Sequence, residues 1–321
     1  MLVSSFYRSI ARTKPLGKVL IALCLGDALS SAYAEPVIGQ FELKTLESDA
    51  GSIELQSQNA WSWDYPDRRV AVDGAELLYD DNAVVRRRHA LEVEIGFTRA
   101  IKMRAGVEFE QERLDDPPAI EHANGFGELE LAEVGVELVG VVAPRRGDGT
   151  GFGVVVELEH PVENREHDTL FLGAIFEFQS GRWFVAAVPM VARAFGGSAD
   201  DGERADHKWD FAYATQLAYT ISNDWALALE AYGTVERLGD SGHPSESALR
   251  FGDSDQHRAG FVLYRTHRFG CAHCRRTAAL GTSSDDDFDE AATLTIGFGW
   301  LAGLNRYTPD HTFKLSIELD F

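Results

Sequence analysis

Carboxylates recur at every second position along much of this chain. Glu92 and Glu94 are one residue apart, as are Glu108 and Glu110, and Glu157 and Glu159; Lys102 and Arg104 repeat the spacing with bases. Residues at i and i+2 of a strand lie on one face, so the spacing predicts a charged face. The acids that fall in this phase are Glu54, Glu92, Glu94, Glu108, Glu110, Glu112, Glu137, Glu157, Glu159, Glu177, Asp210, Glu230, Glu236, Glu318 and Asp320. The bases are Arg86, Arg88, Lys102, Arg104, Lys208 and Lys314, so acids outnumber bases 15 to 6. Lining an enclosed space, such a set makes the potential negative, which favours cations and neutral solutes over anions. Paired across strands, the same groups would instead fill that space as a rigid polar core.

Other chemistry is less well served. His89 and His160 stand in the opposite phase, near strand ends, where a lipid hydrolase in a membrane would hold its base. No serine of that phase accompanies them and there is no G-x-S-x-G, so the nucleophile–base pair is missing and no enzyme activity is expected. Cys271-Ala272-His273-Cys274, with His267, has the look of half a metal site. Haem attachment needs His directly after the second Cys, where Arg275 stands, and a zinc site needs four ligands at suitable spacing. Cys271, His273 and Cys274 are therefore weak metal candidates, and a small disulfide or a free pair in a solvated turn is the plainer reading. The acidic run from Ser283 to Glu290 lacks the glycine-punctuated spacing of a calcium loop. No cofactor is expected.

The elements that position these side chains have period two. In Leu91-Glu92-Val93-Glu94-Ile95 and again in Phe313-Lys314-Leu315-Ser316-Ile317-Glu318-Leu319, apolar and polar residues alternate strictly. A helix would scatter those charges round its circumference, whereas a strand gathers them on one side. Twelve such segments, each about 9–14 residues, fill 51–321 with no helical pattern between them. Strands of water-soluble proteins are nearer five or six residues. Residues 128–142 change phase near Ala132, which predicts a bulge; 182–195 are apolar on both faces and 258–266 are weakly patterned. The connections alternate long (64–84, 114–127, 161–168, 196–207, 237–257, 305–311) and short (98–99, 143–150, 180–181, 221–224), with 267–290 the exception. Aromatics sort to the two strand ends: Trp61, Trp63, Phe109, Trp209, Phe211, Trp300 and Phe313 at one, Phe97, Phe152, Phe176, Phe178, Tyr219, Trp225 and Phe321 at the other. Length, alternation, unequal loops and two girdles together predict an all-β fold, an antiparallel transmembrane up-and-down β-barrel of about 12 strands.

Composition agrees. The chain has 321 residues, 51 Asp+Glu against 30 Lys+Arg, and 45% hydrophobic residues. That is too apolar for a disordered chain and too acidic for nucleic acid to be a partner. Residues 1–34 read as a secretory signal: Arg8, Arg12, Lys14 and Lys18, then the apolar run Val19–Gly26, then Ala32-Tyr33-Ala34 with cleavage after Ala34. Residues 35–50 show no strand pattern and are expected as a periplasmic N-terminal segment that can fold into the lumen as a plug, ahead of the barrel at 51–321.

Several segments carry a family resemblance: Gln58-Asn59-Ala60-Trp61, His89-Ala90-Leu91-Glu92, Gly106-Val107-Glu108-Phe109-Glu110, Gly151-Phe152-Gly153-Val154 and Lys208-Trp209-Asp210-Phe211-Ala212-Tyr213. Over most of 51–321 the chain resembles the Gram-negative outer-membrane channels labelled as phenol-degradation (MetA-pathway) proteins, often called simply transporters. The final strand ending at Phe321 is similar to the signal by which the barrel-insertion machinery recognises its substrates. The resemblance implies passage of small molecules, aromatic or apolar ones included, and brings no binding motif. The 267–290 insertion with its cysteines departs from the pattern.

The expected function is passive diffusion of small solutes through a narrow acidic lumen in the bacterial outer membrane. The expected partners are outer-membrane lipid, lipopolysaccharide and an unidentified solute. The alternatives are a closed structural or adhesive barrel acting through its loops and, further off, an outer-membrane lipid hydrolase.

Overall fold

A computed structural model describes residues 41–64, 69–72, 76–79, 83–114, 127–162, 168–195, 209–235, 238, 256–269, 292–305 and 308–321. The signal segment, Ala34 and the Cys271/His273/Cys274 candidates lie outside the described residues.

Fourteen strands are present among them: β1 (Ile53–Trp63), β2 (Arg69–Val72), β3 (Glu76–Tyr79), β4 (Ala83–Thr98), β5 (Ile101–Leu114), β6 (Glu130–Ala143), β7 (Gly149–Pro161), β8 (Asp168–Ser180), β9 (Trp183–Phe195), β10 (Asp210–Ser222), β11 (Trp225–Val235), β12 (Gln256–Arg268), β13 (Thr293–Gly303) and β14 (His311–Asp320). Twelve of them, β1 and β4 to β14, form one closed barrel in which each strand pairs with its neighbour and β14 returns to β1. Every pairing is antiparallel, including the closure, where Glu54 lies opposite Asp320 and Trp63 opposite His311. Closure leaves the barrel no free edge. The first and last strands also meet outside the ladder, with Phe321 N donating to Ile53 O at 3.0 Å.

β4 runs to 16 residues, longer than the alternation predicts, because Arg86, Arg87 and Arg88 break the apolar pattern without breaking the strand. The 64–84 connection carries the hairpin β2–β3; four-residue strands are too short for a period to register in sequence. At the bulge, Glu108 faces Glu133 while the next residue, Phe109, faces Leu131. Ala132 is thus the extra residue, as the phase change predicts. Two-residue turns at 99–100, 181–182 and 223–224 mark one end of the barrel. One of them begins at Gly181, with φ at +56°, a left-handed conformation that a side chain would disfavour.

The two faces of the wall are inverted relative to a water-soluble protein. Leu55, Leu91, Val136, Leu172, Leu229, Phe261 and Phe298 are exposed, while Lys102, Glu137 and Glu230 are buried to within 3% of full burial. A continuous apolar exterior of this kind matches hydrocarbon rather than water. Rings cluster at both ends: Trp61 lies 5.4 Å from Phe313 and Trp300 5.7 Å from His311 at one, Phe152 lies 5.2 Å from Phe176 and Trp183 4.8 Å from Tyr219 at the other.

Leu229, mid-strand on β11 and facing outward, gives a direct measure of this environment. Leu229→Arg is expected to destabilise the protein folded in lipid vesicles by about 2–4 kcal/mol, read by denaturant titration, as for a base near a bilayer midplane. Water outside the barrel would make the change almost neutral.

Candidate functional site

The antiparallel register sets inward carboxylates against one another. Glu54 lies opposite Glu94, Glu108 opposite Glu133 and Glu137 opposite Glu157. Like charges in directly opposed positions repel, so cations must be brought to them. Some come from neighbouring strands. Arg104 Nη2 donates to Glu94 Oε2 at 2.8 Å, Lys102 Nζ lies 3.0 Å from Glu94 Oε1, and Arg86 Nε lies 2.7 Å from Glu110 Oε1.

One cation comes from outside the wall. Residues 41–46 run inside the lumen, with Phe41, Glu42, Lys44 and Leu46 all buried. Lys44 Nζ pairs with Glu137 and, at 3.0 Å, with Glu157, so it bridges an opposed carboxylate pair. Burial disfavours its charge, but Glu137 and Glu157 outweigh that and hold the ammonium above the ordinary lysine range. On the lysine side, the pairing therefore stabilises the docked segment at neutral pH and is lost as strongly alkaline solution removes the proton. Glu42 pairs with Arg104, and Leu46 N donates to Glu177 Oε1 at 2.7 Å, while Arg145 Nε holds the other Glu177 oxygen at 3.1 Å.

Part of the lumen wall is apolar. The inward residues of β9, whose phase the sequence leaves open, are Ala186, Val188, Met190 and Ala192. Val188 and Met190 join Ile175, Ala212, Ala214, Val262 and Leu301, with Val139, Val141 and Val155 of β6 and β7, in one buried cluster with Phe41 and Leu46. Phe41 meets the Tyr232 ring edge-on at 5.4 Å and lies under the Arg258 guanidinium at 4.7 Å. Leu46 fits because Gly151 and Gly153 stand beneath it; a Cβ at Gly151 would lie 2.8 Å from Leu46 Cδ1.

A second charged centre forms on β10 to β14. Glu230, wholly buried, accepts from Gln216 Nε2 at 2.7 Å, Tyr232 OH at 2.6 Å, Lys314 Nζ at 2.8 Å and Tyr264 OH. Four donors on one carboxylate leave it saturated, so this centre acts as a brace.

The residues singled out from sequence thus fall into groups. Glu92, Glu94, Lys102, Arg104, Glu108, Glu110, Glu137, Glu157 and Glu159 share the β4–β7 sector; Glu54 and Glu318 stand on β1 and β14; Glu177 binds the segment; Glu230 and Lys314 make the brace; Asp210 stands on β10 opposite Ala192. Glu236 and Lys208 lie outside the described residues, as does the side chain of Glu112. Sequence reasoning missed Glu133, which stands beside the bulge in phase with Gly135 and Glu137, and the residues of the segment itself. The alternation of Phe41-Glu42-Leu43-Lys44 was a signal for the latter, but four residues are too few to assign.

His89 Nδ1 lies 2.6 Å from Asn59 Oδ1, and Asn59 Nδ2 donates to Ser57 Oγ at 3.2 Å. An outward serine therefore stands near His89 after all, bonded to the asparagine. His160 Nδ1 lies 2.5 Å from Asp168 Oδ1 in an exposed pair.

No family model and no curated protein matches the chain. Among solved structures it is similar to an outer membrane channel from Pseudomonas putida F1 (14% identity, TM-score 0.46, 89% of this chain and 99% of that one). It is also similar to the NanC porin (10% identity, TM-score 0.46, 83% and 98%). A third is the KdgM porin in complex with disordered oligogalacturonate (7% identity, TM-score 0.41, 84% and 98%).

The brace is open to a stability test. Lys314→Met leaves Glu230 buried without its cation and is expected to cost about 3–5 kcal/mol in denaturant unfolding. Adding Glu230→Gln should recover part of that loss, since the uncompensated charge is then gone.

Proposed function

We propose that this protein is a bacterial outer-membrane channel through which small solutes diffuse passively, with segment 41–50 as its constriction and the β4–β7 carboxylates as its selectivity element. The observation that carries the reading is a single closed wall, apolar outside and charged inside, threaded by a segment held only by non-covalent contacts. A water-soluble barrel has no use for exposed Leu55, Leu229 and Phe261, and a purely structural barrel has no use for a surplus of buried acid.

On this reading the aromatic rims meet lipid and lipopolysaccharide, and the strand ending at Phe321 is read by the insertion machinery. The resemblance to the phenol-degradation family extends the solutes to aromatic and apolar ones, for which the Val188/Met190 side of the lumen offers an apolar surface. His89 and His160 have no catalytic part on this reading, since neither has a hydrogen bond to a serine among the described residues.

A closed barrel is the second reading, favoured by Phe41 and Leu46, which fill the lumen between its charged and apolar sides. Planar-bilayer conductance separates the two. The full chain is expected to pass small, cation-selective currents, and Phe41→Ala combined with Lys44→Ala to raise the conductance several-fold by releasing the segment. Absence of current above background in both proteins would exclude a channel.

A further inference from the structure

Beside the docked segment the wall forms a partly open cavity of about 40 Å³, bounded by Glu92, Glu108, Glu133, Glu137, Glu157 and Glu159, floored by Gly106 and Gly135, and touched by one base, Arg104. The register explains it. Gly106 lies directly opposite Gly135, Glu92 opposite Gly106, and Glu159 opposite Gly135. Two missing side chains in the middle of an acidic row leave a hollow lined by six carboxylates and one base.

The neighbouring cations are committed elsewhere. Lys44 bridges Glu137 and Glu157; Arg104 is directed to Glu42 and Glu94 and reaches Glu92 only at 3.9 Å, and Arg88 reaches Glu108 only at 3.7 Å, so none of them pairs with Glu159. Glu159, only 5% exposed, has no hydrogen bond or ion pair among the described residues, and Glu137 Oε1 is buried with no hydrogen-bond partner. A buried carboxylate without compensation is costly, so these groups are neutralised either by a proton or by a further cation.

We propose that this cavity binds a hydrated divalent cation, calcium in preference to magnesium. Hard cations take carboxylate and water oxygens, and calcium tolerates irregular, many-coordinate shells where magnesium demands a near-ideal octahedron. Among the described residues no three acidic or histidine side chains converge as a direct metal cage. The ion therefore keeps waters between itself and part of the wall. The volume accommodates an ion with a few waters and excludes a bulky organic amine. The site rests on the proposed channel only in that its lumen is open to solution. Binding is measured without current, so its failure and the failure of the channel reading are told apart.

The test is calcium titration of the full chain refolded in detergent micelles, followed by calorimetry and by the thermal unfolding midpoint, with magnesium as the comparison. Two variants accompany it. Glu159→Gln removes one charge at constant shape. Gly135→Leu fills the floor, where a Cβ would meet nothing nearer than 3.9 Å. Saturable one-site binding of calcium that raises the midpoint is expected, weaker with magnesium and weakened about tenfold or more in each folded variant. Lack of saturable binding overturns the proposal, as does equal affinity in wild type and Glu159→Gln. If Glu159→Gln stabilises the calcium-free protein while wild type ignores calcium, the carboxylate is neutralised by a proton and the cation site does not exist.

Discussion

A closed antiparallel wall with one apolar face has to put its charges inside. Strands alternate their side chains, so the choice that exposes Leu91 and Val93 sends Glu92 and Glu94 to the lumen. Once β14 pairs with β1, no edge or gap remains through which those groups can turn outward. The charge density of the interior is then fixed by strand register. Because the register opposes Glu137 to Glu157 and Glu108 to Glu133, the barrel cannot be neutral from its own cross-strand pairs. Additional positive charge is a structural requirement of this wall.

Segment 41–46 meets part of that requirement. Lys44 reaches the opposed pair Glu137 and Glu157, where Arg104, opposite Glu137 on β5, is directed to Glu94 and Glu42 instead. The segment is thus an electrostatic component of the barrel as well as an obstruction in it. Its attachment is strong where water is excluded, since removing one partner of a buried pair leaves the other charge stranded.

The wall was legible in the sequence because period two is a local signal: strand count, outward face, rims and the bulge at Ala132 all follow from residues read a dozen at a time. The inside was less legible, for a physical reason. Which carboxylate confronts which depends on register, and register between β5 and β6 depends on the bulge. Glu133 shares the inward face of Gly135 and Glu137, but it stands beside the phase change at Ala132, and that it confronts Glu108 is set by the pairing of the two strands. The inward side of β9 was hidden differently: Val188 and Met190 are as apolar as the outward Val185 and Val191, so alternation vanishes where an apolar lumen meets an apolar exterior. The β2–β3 hairpin was too short to show a period.

The two-sided lumen also bears on how segment 41–46 can leave. Its ion pairs face β5 to β7, while Phe41 and Leu46 sit in the apolar cluster with Val188, Tyr232 and Leu301. Water is needed to weaken the pairs of Lys44 and Glu42, because their attraction falls as the local dielectric rises. The apolar contacts of Phe41 and Leu46 keep water from reaching those pairs from the segment's side, leaving wet the small cavity beyond Glu137 and Glu157. Neither set of contacts can therefore be lost gradually while the other stays intact: withdrawing Phe41 admits water to the ion pairs, and breaking the ion pairs strands charges that only water can accommodate. Release of the segment should behave as a cooperative step, with a docked state and a withdrawn state and little population between them.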